Sequence, residues 1–308
     1  MFDRRYDAQV RLLLRCLPEI GRQQCFALKG GTAINLFVRD LPRVSVDIDL
    51  TYMPLKPRSE ALQEIHDKLI SIKEDIEQHI PGSQVRENRI QDYIVKLFVS
   101  TDDAMVKVEP NLILRGSVHP PQNHDLCLDA QKHFEAFVRV QTLSIADLYG
   151  GKLCAALDRQ HPRDLFDVKL LLEDTGITPE IRRSFVVYLC GHNRPMSELL
   201  APNFQDIKEL YVDQFMGMTQ NEVSLKDLQH IQQNLAKTLV SALDDDEKEF
   251  LMSVKLGKPE WNRLGIEHLA QLPSIQWKLI NIRRMNSAKH KVALECLANI
   301  LTMSNQTG

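Results

Sequence analysis

The chain has 308 residues, 44% of them hydrophobic and 26% charged, which is enough for two domains or one large domain with an appended subdomain. A net charge of −3 and a pI near 6.4 exclude a global positive field that would grip nucleic acid or an anionic membrane. Any such contact falls to local patches. The six cysteines (Cys16, Cys25, Cys127, Cys154, Cys190 and Cys296) form no C-x-x-C pair and no zinc-finger spacing with histidine. They read as buried free thiols in a reducing cytosol. The opening MFDRRYDAQV has no apolar signal core, and no run approaches a membrane span. The expected setting is the cytoplasm, with no membrane partner.

In chain order, residues 7–18 (DAQVRLLLRCLP) predict an amphipathic helix ending at Pro18. CFALKGG predicts a short strand running into glycines, followed by a helix of one to two turns from Thr32 to Val38. VSVDIDLT (44–51) is a strand by β-branched content and alternation. Leu62, Ile65, Leu69, Ile72, Ile76 and Ile80 recur at helical spacing until Pro81-Gly82 stops them. DYIVKLFVS and AMVKVEP form an expected antiparallel hairpin across Thr101–Asp103, and AFVRVQTL adds a strand. Ser144 and Asp147 fit a capping box for a helix running to about Asp158. Pro162 opens the next helix, which Gly176 ends. After Gly176 strand signals vanish: 191–205 reads as a loop-like joint, and helices are expected around 222–243 and 288–302. The acidic DDDEKE (244–249) reads as a solvated helix start. The fold class is therefore mixed α/β over residues 1–175 and all-helical over 176–308.

The chemistry concentrates in KGGTAINLFVRDLPRVSVDIDL, residues 29–50. Asp47 and Asp49 share one face of a strand, with Cα atoms roughly 6.5 Å apart. Val46, Ile48 and Leu50 take the other face. Paired carboxylates repel unless a cation sits between them, and hard cations such as Mg²⁺ prefer oxygen ligands. A D-x-D pair alone also fits a solvated strand edge. Its context favours the metal clamp. Gly30 and Gly31 clear side chains from the start of a helix, a ready phosphate site, and phosphates there would meet metal held on the next strand. Glu109 is the candidate third acid, with Lys107 on its face and Val106 and Val108 inward. Asp92, Asp102 and Asp103 are rivals that sit at strand ends and in a turn. Arg43 and Ser45 share the face of Asp47 and could touch phosphate; Arg43 could instead bridge Asp40.

These residues resemble the nucleotidyltransferase superfamily, marked by Gly-Gly or Gly-Ser opening a helix, D-x-D on the following strand, and a later third acid. Within it, the chain is similar to the AbiEii-type toxins of abortive-infection and toxin–antitoxin systems, which include the MenT-like transferases. The matching blocks are Gly30-Gly31-Thr32, RVSVDIDL (43–50), VKVEPNLILRG around Glu109, and DLYGGKLCAALDRQHPRDLFDVKLLL (147–172). The last block is the most discriminating. Thr32 stands where the superfamily usually has serine, and Glu109 where it often has aspartate; both keep the oxygen.

Carried over by position, the resemblance implies that Asp47, Asp49 and Glu109 hold metal, with Asp47 also near the path of the nucleophile. Lys152 would hold the triphosphate, and Asp164 would be the essential acid of RD-x-x-D. Asp167 lies one turn on, facing the same site, and Arg159 is seven residues beyond Lys152 on its helical face. Gly30, Gly31, Thr32, Arg43, Ser45, Lys152 and Asp167 form the expected nucleotide-binding set. The implied activity is transfer of a nucleoside monophosphate from an NTP, with two Mg²⁺ ions, to the 3′ end of tRNA. Blocked aminoacylation would then stop growth in phage defence. A cognate AbiEi-like antitoxin encoded nearby is the implied partner.

Rival readings are nucleotidyl or phosphoryl transfer to a protein or small molecule, and a catalytically silent scaffold. Outside this site, His66 and His79 read as ordinary helix residues, and Trp261 and Trp277 as packing of the C-terminal bundle. Lys278, Arg283, Arg284, Lys289, His290 and Lys291 read either as a solvated face or as a patch that steers RNA.

Overall fold

The computed structural model describes residues 2–303. The chain packs as two compact units, Met1–Leu148 with Phe215–Glu222, and Tyr149–Gln214 with Val223–Gly308. This division differs from the partition at residue 175, which rests on motif and strand content.

The first unit is built on a seven-stranded mixed sheet. Its strands are β1 (Phe26–Lys29), β2 (Asp47–Tyr52), β3 (Gln84–Ile90), β4 (Tyr93–Ser100), β5 (Met105–Asn111), β6 (Gln122–Asp125) and β7 (Arg139–Thr142). Their order is β3-β4-β5-β2-β1-β7-β6. The expected hairpin is β4–β5, antiparallel with Leu97 opposite Val108. β2 and β5 run parallel in the centre, with Asp47 opposite Lys107 and Asp49 opposite Glu109. Alternation sorts the two faces. Ile48, Leu50, Leu97, Val99, Val106 and Val108 are buried at 2% exposure or less, which leaves the intervening polar residues of β2 and β5 on the opposite face.

Two helices pack against the sheet and each other, α1 (Arg4–Gly21) and α3 (Arg58–His79). Helix α3 buries Ala61, Ile65, Leu69, Ile72 and Ile76, the stripe expected from its spacing. Helix α1 runs past Pro18, which lies inside it. Short elements complete the unit: α2 (Gly30–Ala33), a π-helix (Ile34–Val38) and α4 (Leu128–Phe134). The glycines thus lie in the first helical turn itself, with Lys29 as its cap residue.

Strand β2 starts at Asp47, not at Val44, because the preceding residues pair elsewhere. Arg43 bridges Thr219, and Val44 N–H donates to the carbonyl of Met218. Segment 215–222 joins the first unit through these bonds and the buried Phe215 and Met218. β3 and β6 are strands that the sequence did not announce. Both carry mainly polar residues and lie at the sheet's two ends, where alternation with a core is not required.

The second unit is helical among its described residues. Helix α5 (Ile145–Arg159) enters it from the first unit. It is followed by α6 (Pro162–Glu173), α7 (Pro179–Gly191), α8 (Met196–Leu200), α9 (Lys208–Gln214), α10 (Leu225–Ala242), α11 (Asp245–Lys255), α12 (Pro273–Arg283) and α13 (Ser287–Met303). Pairs α12–α7, α10–α6 and α11–α13 pack around Phe185, Leu239, Phe250 and Ile275. The loop expected over 191–205 contains α8, whose Met196, Leu199 and Leu200 are buried. The acidic run does begin a helix, with Asp244 and Glu247 in a reciprocal capping box, but it is not solvated throughout: Glu247 is 1% exposed and pairs with Arg182 at 2.6 Å.

Three exposure expectations fail. Only Cys16, Cys154 and Cys190 are buried, whereas Cys25 and Cys127 are half-buried and Cys296 is exposed. Trp277 is 54% exposed, and Lys278 is buried.

Candidate active site

On the polar face of the first unit's sheet, the register of β2 and β5 sets Asp49 beside Glu109 and Asp47 beside Lys107. Lys107 Nζ lies 2.9 Å from Glu109 Oε2 and 3.7 Å from Asp47 Oδ1, while Lys96 Nζ lies 2.7 Å from Glu109 Oε1. Lys96 is the residue that sequence reasoning missed. The signal was present, because it is a polar position within the alternation of β4.

Burial, opposed by Lys29 and reinforced by Asp47, pushes the Asp49 carboxyl above the usual carboxylate range. For Glu109 burial also acts upward, but hydrogen bonds from Lys96 and Lys107 outweigh it and hold the group low. Lys107 is shifted upward, since its bond to Glu109 and the charges of Asp47, Glu109 and Asp49 overcome desolvation.

The glycines explain how Asp49 fits. Gly30 has a φ of +72°, and a Cβ built there would fall 2.7 Å from Asp49 Oδ2. A Cβ on Gly31 would fall 2.6 Å from Arg43 Nη2 and 2.9 Å from Ser45 Oγ. The space that a side chain on either glycine would need is taken by the protein's own carboxylate and guanidinium. Thr32 is buried, and its hydroxyl contacts Ser45 Oγ at 3.1 Å and donates to the Asp47 carbonyl at 2.5 Å. Arg43, 2% exposed, donates from Nη1 to the Val44 carbonyl at 2.9 Å, and Asp40 accepts the N–H of Asp129. Thr32, Arg43 and Ser45 thus pack under the turn and fix where β2 begins.

Asp47, Asp49 and Glu109 offer the oxygen donors that a hard divalent cation prefers, although their ligand atoms do not all converge within 4.8 Å of one another. The carboxylates are oxygen donors on adjacent strands, and the raised Asp49 is a group that a cation would relieve. Lys96 and Lys107 neutralise the oxygens of Glu109, and Lys107 also lies near Asp47.

In the second unit, α5 and α6 bring together the residues of the most discriminating block. Lys152 Nζ lies 2.8 Å from Asp164 Oδ1 and 2.9 Å from Asp167 Oδ2, and Arg159 Nη2 lies 2.8 Å from Asp164 Oδ2. Lys152, Asp164 and Asp167 are 6%, 3% and 0% exposed. His161 caps α6 by accepting the N–H of Arg163, and Pro162 follows it. Burial raises Asp164, but Lys152 and Arg159 more than offset this and hold it below its usual value. At the start of α5 the Ser144 hydroxyl accepts the N–H of Asp147 at 3.0 Å and donates to its carboxylate at 2.7 Å. Asp147 also accepts the N–H groups of Val118 and His119 at 2.8 and 2.9 Å, anchoring that loop.

Two further features draw attention and lead elsewhere. Glu19, Asp75 and His79 have potential ligand atoms within 4.8 Å of one another, but Arg22 Nη1 already pairs with Glu19 at 2.9 Å and with Asp75 at 3.4 Å. A groove of about 940 Å³ runs beside α1, lined among others by Arg4, Arg11, Arg15, Phe134 and Phe137, and includes none of the expected site residues.

Comparison with known proteins places these blocks in context. The family model described as nucleotidyl transferase AbiEii toxin, type IV toxin–antitoxin system, matches residues 11–280. Among solved structures, MenT4, a nucleotidyltransferase toxin from Mycobacterium tuberculosis H37Rv, superposes with a TM-score of 0.56 at 17% identity. The match covers 96% of this chain and 92% of that one. No curated protein matches the sequence.

Proposed function

The chain belongs to the AbiEii family of nucleotidyltransferase toxins of type IV toxin–antitoxin systems, and from that premise we propose that it transfers a nucleoside monophosphate from an NTP to the 3′ end of tRNA. The observation that carries the catalytic reading is the pairing of Asp49 with Glu109 across β2 and β5, with Asp47 on the same face.

Asp47, Asp49 and Glu109 are the residues that would hold divalent metal, Mg²⁺ in this reading. When bound, the metal would neutralise phosphate charge and lower the pKa of the attacking hydroxyl. The protein's own part is positional. Gly30 keeps the Asp49 carboxylate in place, and Thr32 holds the backbone of Asp47. Lys96 and Lys107 offset the carboxylate charge, and Lys107 would also be a point cation available to phosphate oxygens. Lys152 and Asp164 act as a pair within the second unit, where Asp164 and Asp167 hold the ammonium in place. Catalysis of this kind is positioning and charge neutralisation more than covalent chemistry.

We assign residues 1–175 to nucleotidyl transfer and the helices after 176 to acceptor binding. Arg283, Arg284 and Lys289 support the second assignment. They are exposed and carry no carboxylate partner among the described residues, whereas the buried Lys278 donates to the carbonyls of His192 and Arg194 and drops out of the patch. A cognate antitoxin follows from the family. Its identity as an AbiEi-like protein encoded nearby, a role in phage defence and a cytoplasmic location belong to the proposal.

The deciding experiment incubates the purified protein with each labelled NTP, Mg²⁺ and total cellular RNA, then separates the products on a gel. Label in the tRNA band is the expected result. Label in protein or a small product, with none in RNA, would overturn the acceptor while leaving nucleotidyl transfer intact.

A further inference from the structure

The carboxy-terminal ends of α1 and α3 meet around two acids and an imidazole. Glu19 lies in the last turn of α1, and His79 is the last residue of α3. Asp75 precedes His79 by four residues and so shares its helical face. One ligand atom from each of the three lies within 4.8 Å of the others, and among the described residues no other group of histidines, cysteines or acids converges in this way. Glu19 is 7% exposed, and its Oε2 lies 3.2 Å from His79 Nδ1.

A cation already marks the centre of this triad. Arg22, just past the end of α1, sets a single atom, Nη1, 2.9 Å from Glu19 Oε2, 3.4 Å from Asp75 Oδ1 and 3.5 Å from His79 Nδ1. The guanidinium serves the three ligands poorly. Two carboxylates share one positive charge, and no other lysine or arginine pairs with either among the described residues. His79 Nδ1 faces a guanidinium that can only donate and an ionised carboxylate that can only accept, so either tautomer satisfies one of them. The Arg22 side chain is also 51% exposed, and ion pairs made by so exposed a group contribute little that would hold it there.

The helix ends add to the demand for positive charge. A carboxy-terminal turn carries partial negative charge on its free carbonyls. Two such turns converge here, and α1 has no basic residue in its own last turn.

We propose that Glu19, Asp75 and His79 form a site for a transition-metal dication of the zinc class, and that Arg22 is the side chain this ion displaces. A dication balances both carboxylates, and the imidazole lone pair turns to the metal instead of choosing between Arg22 and Glu19. Zinc binds imidazole nitrogen and carboxylate oxygen at about 2.0–2.2 Å, which sets tetrahedral ligand atoms about 3.4 Å apart. The Glu19–His79 pair already stands at 3.2 Å. Ligands four residues apart on one helix reach the same ion. The nitrogen donor sets this triad apart from Asp47, Asp49 and Glu109, whose all-oxygen set suits Mg²⁺. A bound ion would tie the end of α1 to the end of α3. The site draws on these two helices alone, so it does not depend on the catalytic reading.

The test titrates Zn²⁺ into the full chain by calorimetry, with excess Mg²⁺ present to occupy the all-oxygen carboxylates. Wild type is compared with His79→Gln and Arg22→Gln, both at exposed positions whose replacement leaves the fold intact. Wild type should bind Zn²⁺ saturably, and His79→Gln should bind it about tenfold or more weakly, having lost one of three ligands. Arg22→Gln should bind more tightly than wild type, because no guanidinium competes. Zn²⁺ should also raise the melting temperature of wild type by mass action on the folded state, and should raise that of His79→Gln less.

Unchanged Zn²⁺ affinity in His79→Gln would place the ion on thiols or other carboxylates and overturn the inference. Absence of saturable binding in wild type would do the same. Binding seen only in Arg22→Gln counts against it as well, because Arg22 would then be the permanent cation of the natural chain.

Discussion

Gly30 and Asp49 occupy one space: a Cβ on the glycine would fall 2.7 Å from the aspartate's Oδ2. The glycine's φ of +72° adds a second constraint, since an L side chain there costs about 1–2 kcal/mol. Gly30→Ala should therefore lower stability by at least that amount and move the Asp49 carboxylate off its position beside Glu109. Nucleotidyl transfer should fall more than ~10-fold in protein that remains folded, because a misplaced ligand disrupts positioning. Thermal melting and NTP labelling at matched folded concentration check both parts. Wild-type activity in Gly30→Ala would separate the turn from the site.

Asp49 also controls a pH response. Burial foremost raises its folded-state pKa above the ordinary value of 3.8. Protonation is therefore favoured by folding, and ionised Asp49 costs stability once the pH exceeds the folded pKa. Asp49→Asn should be more stable than wild type at neutral pH, and the difference should close as pH falls toward 3.8. Added divalent cation should stabilise wild type and not the variant. Transfer should drop at least about 10²-fold, the scale of losing a key electrostatic group. Melting curves from about pH 3 to 8, a range that brackets the carboxylate titration, with and without Mg²⁺, provide the readout. A variant less stable than wild type at neutral pH would mean that Asp49 is held by contacts stronger than its desolvation cost.

Much of this site was legible in the sequence. D-x-D alternation placed Asp47 and Asp49 on one face, and the valines of AMVKVEP placed Glu109 on the polar face of its own strand. The pairing of β2 with β5 was not legible, because parallel neighbours far apart in the chain leave no local signal. The close approach of Asp49 to Gly30 and of Arg43 to Gly31 was not legible for a related reason. A glycine turn looks the same in sequence whether it admits a ligand or the protein's own side chains. β3 and β6 went unseen because edge strands escape the alternation that a core imposes. Trp277 and Lys278 were inverted, since α12 is short and its moderately apolar residues do not fix which face is buried. Segment 215–222 packs with the first unit through residues that carry no distinctive pattern.

Lys152 and Asp164 call for a different test from the one their sequence block suggests. Removing Lys152 leaves Asp164 and Asp167 buried beside each other without their shared ammonium. Lys152→Ala should therefore cost about 3–5 kcal/mol of stability, and its NTP affinity must be measured on the folded fraction. Asp164 has a folded pKa below 3.8 because Lys152 and Arg159 outweigh its burial. Its stabilising contribution is thus present above pH 3.8 and is lost as pH falls through the folded value. Asp164→Asn should weaken the protein at neutral pH, with the deficit narrowing in stronger acid. If Lys152→Ala folds as well as wild type, the buried triad contributes no net stability, and any loss of activity belongs to substrate contact alone.

The acceptor patch can be tested apart from the carboxylates. With Lys278 buried and bound to carbonyl groups, the surface reduces to Arg283, Arg284 and Lys289 as exposed cations without carboxylate partners among the described residues. Reversing these three to glutamate should weaken RNA modification while leaving NTP binding to the carboxylate face unchanged. Phosphate contacts act through counterion release, so losing about three should reduce the log–log salt slope by roughly 2–3 units. Trp277 provides a control of another kind. Its exposed indole offers a surface for base stacking, and Trp277→Ala should weaken RNA binding without altering the salt slope. Measurement of RNA modification from about 50 to 300 mM salt, where counterion release dominates the response, distinguishes the two variants. An unchanged slope in the triple reversal would assign these cations to solvent and move the acceptor to another surface.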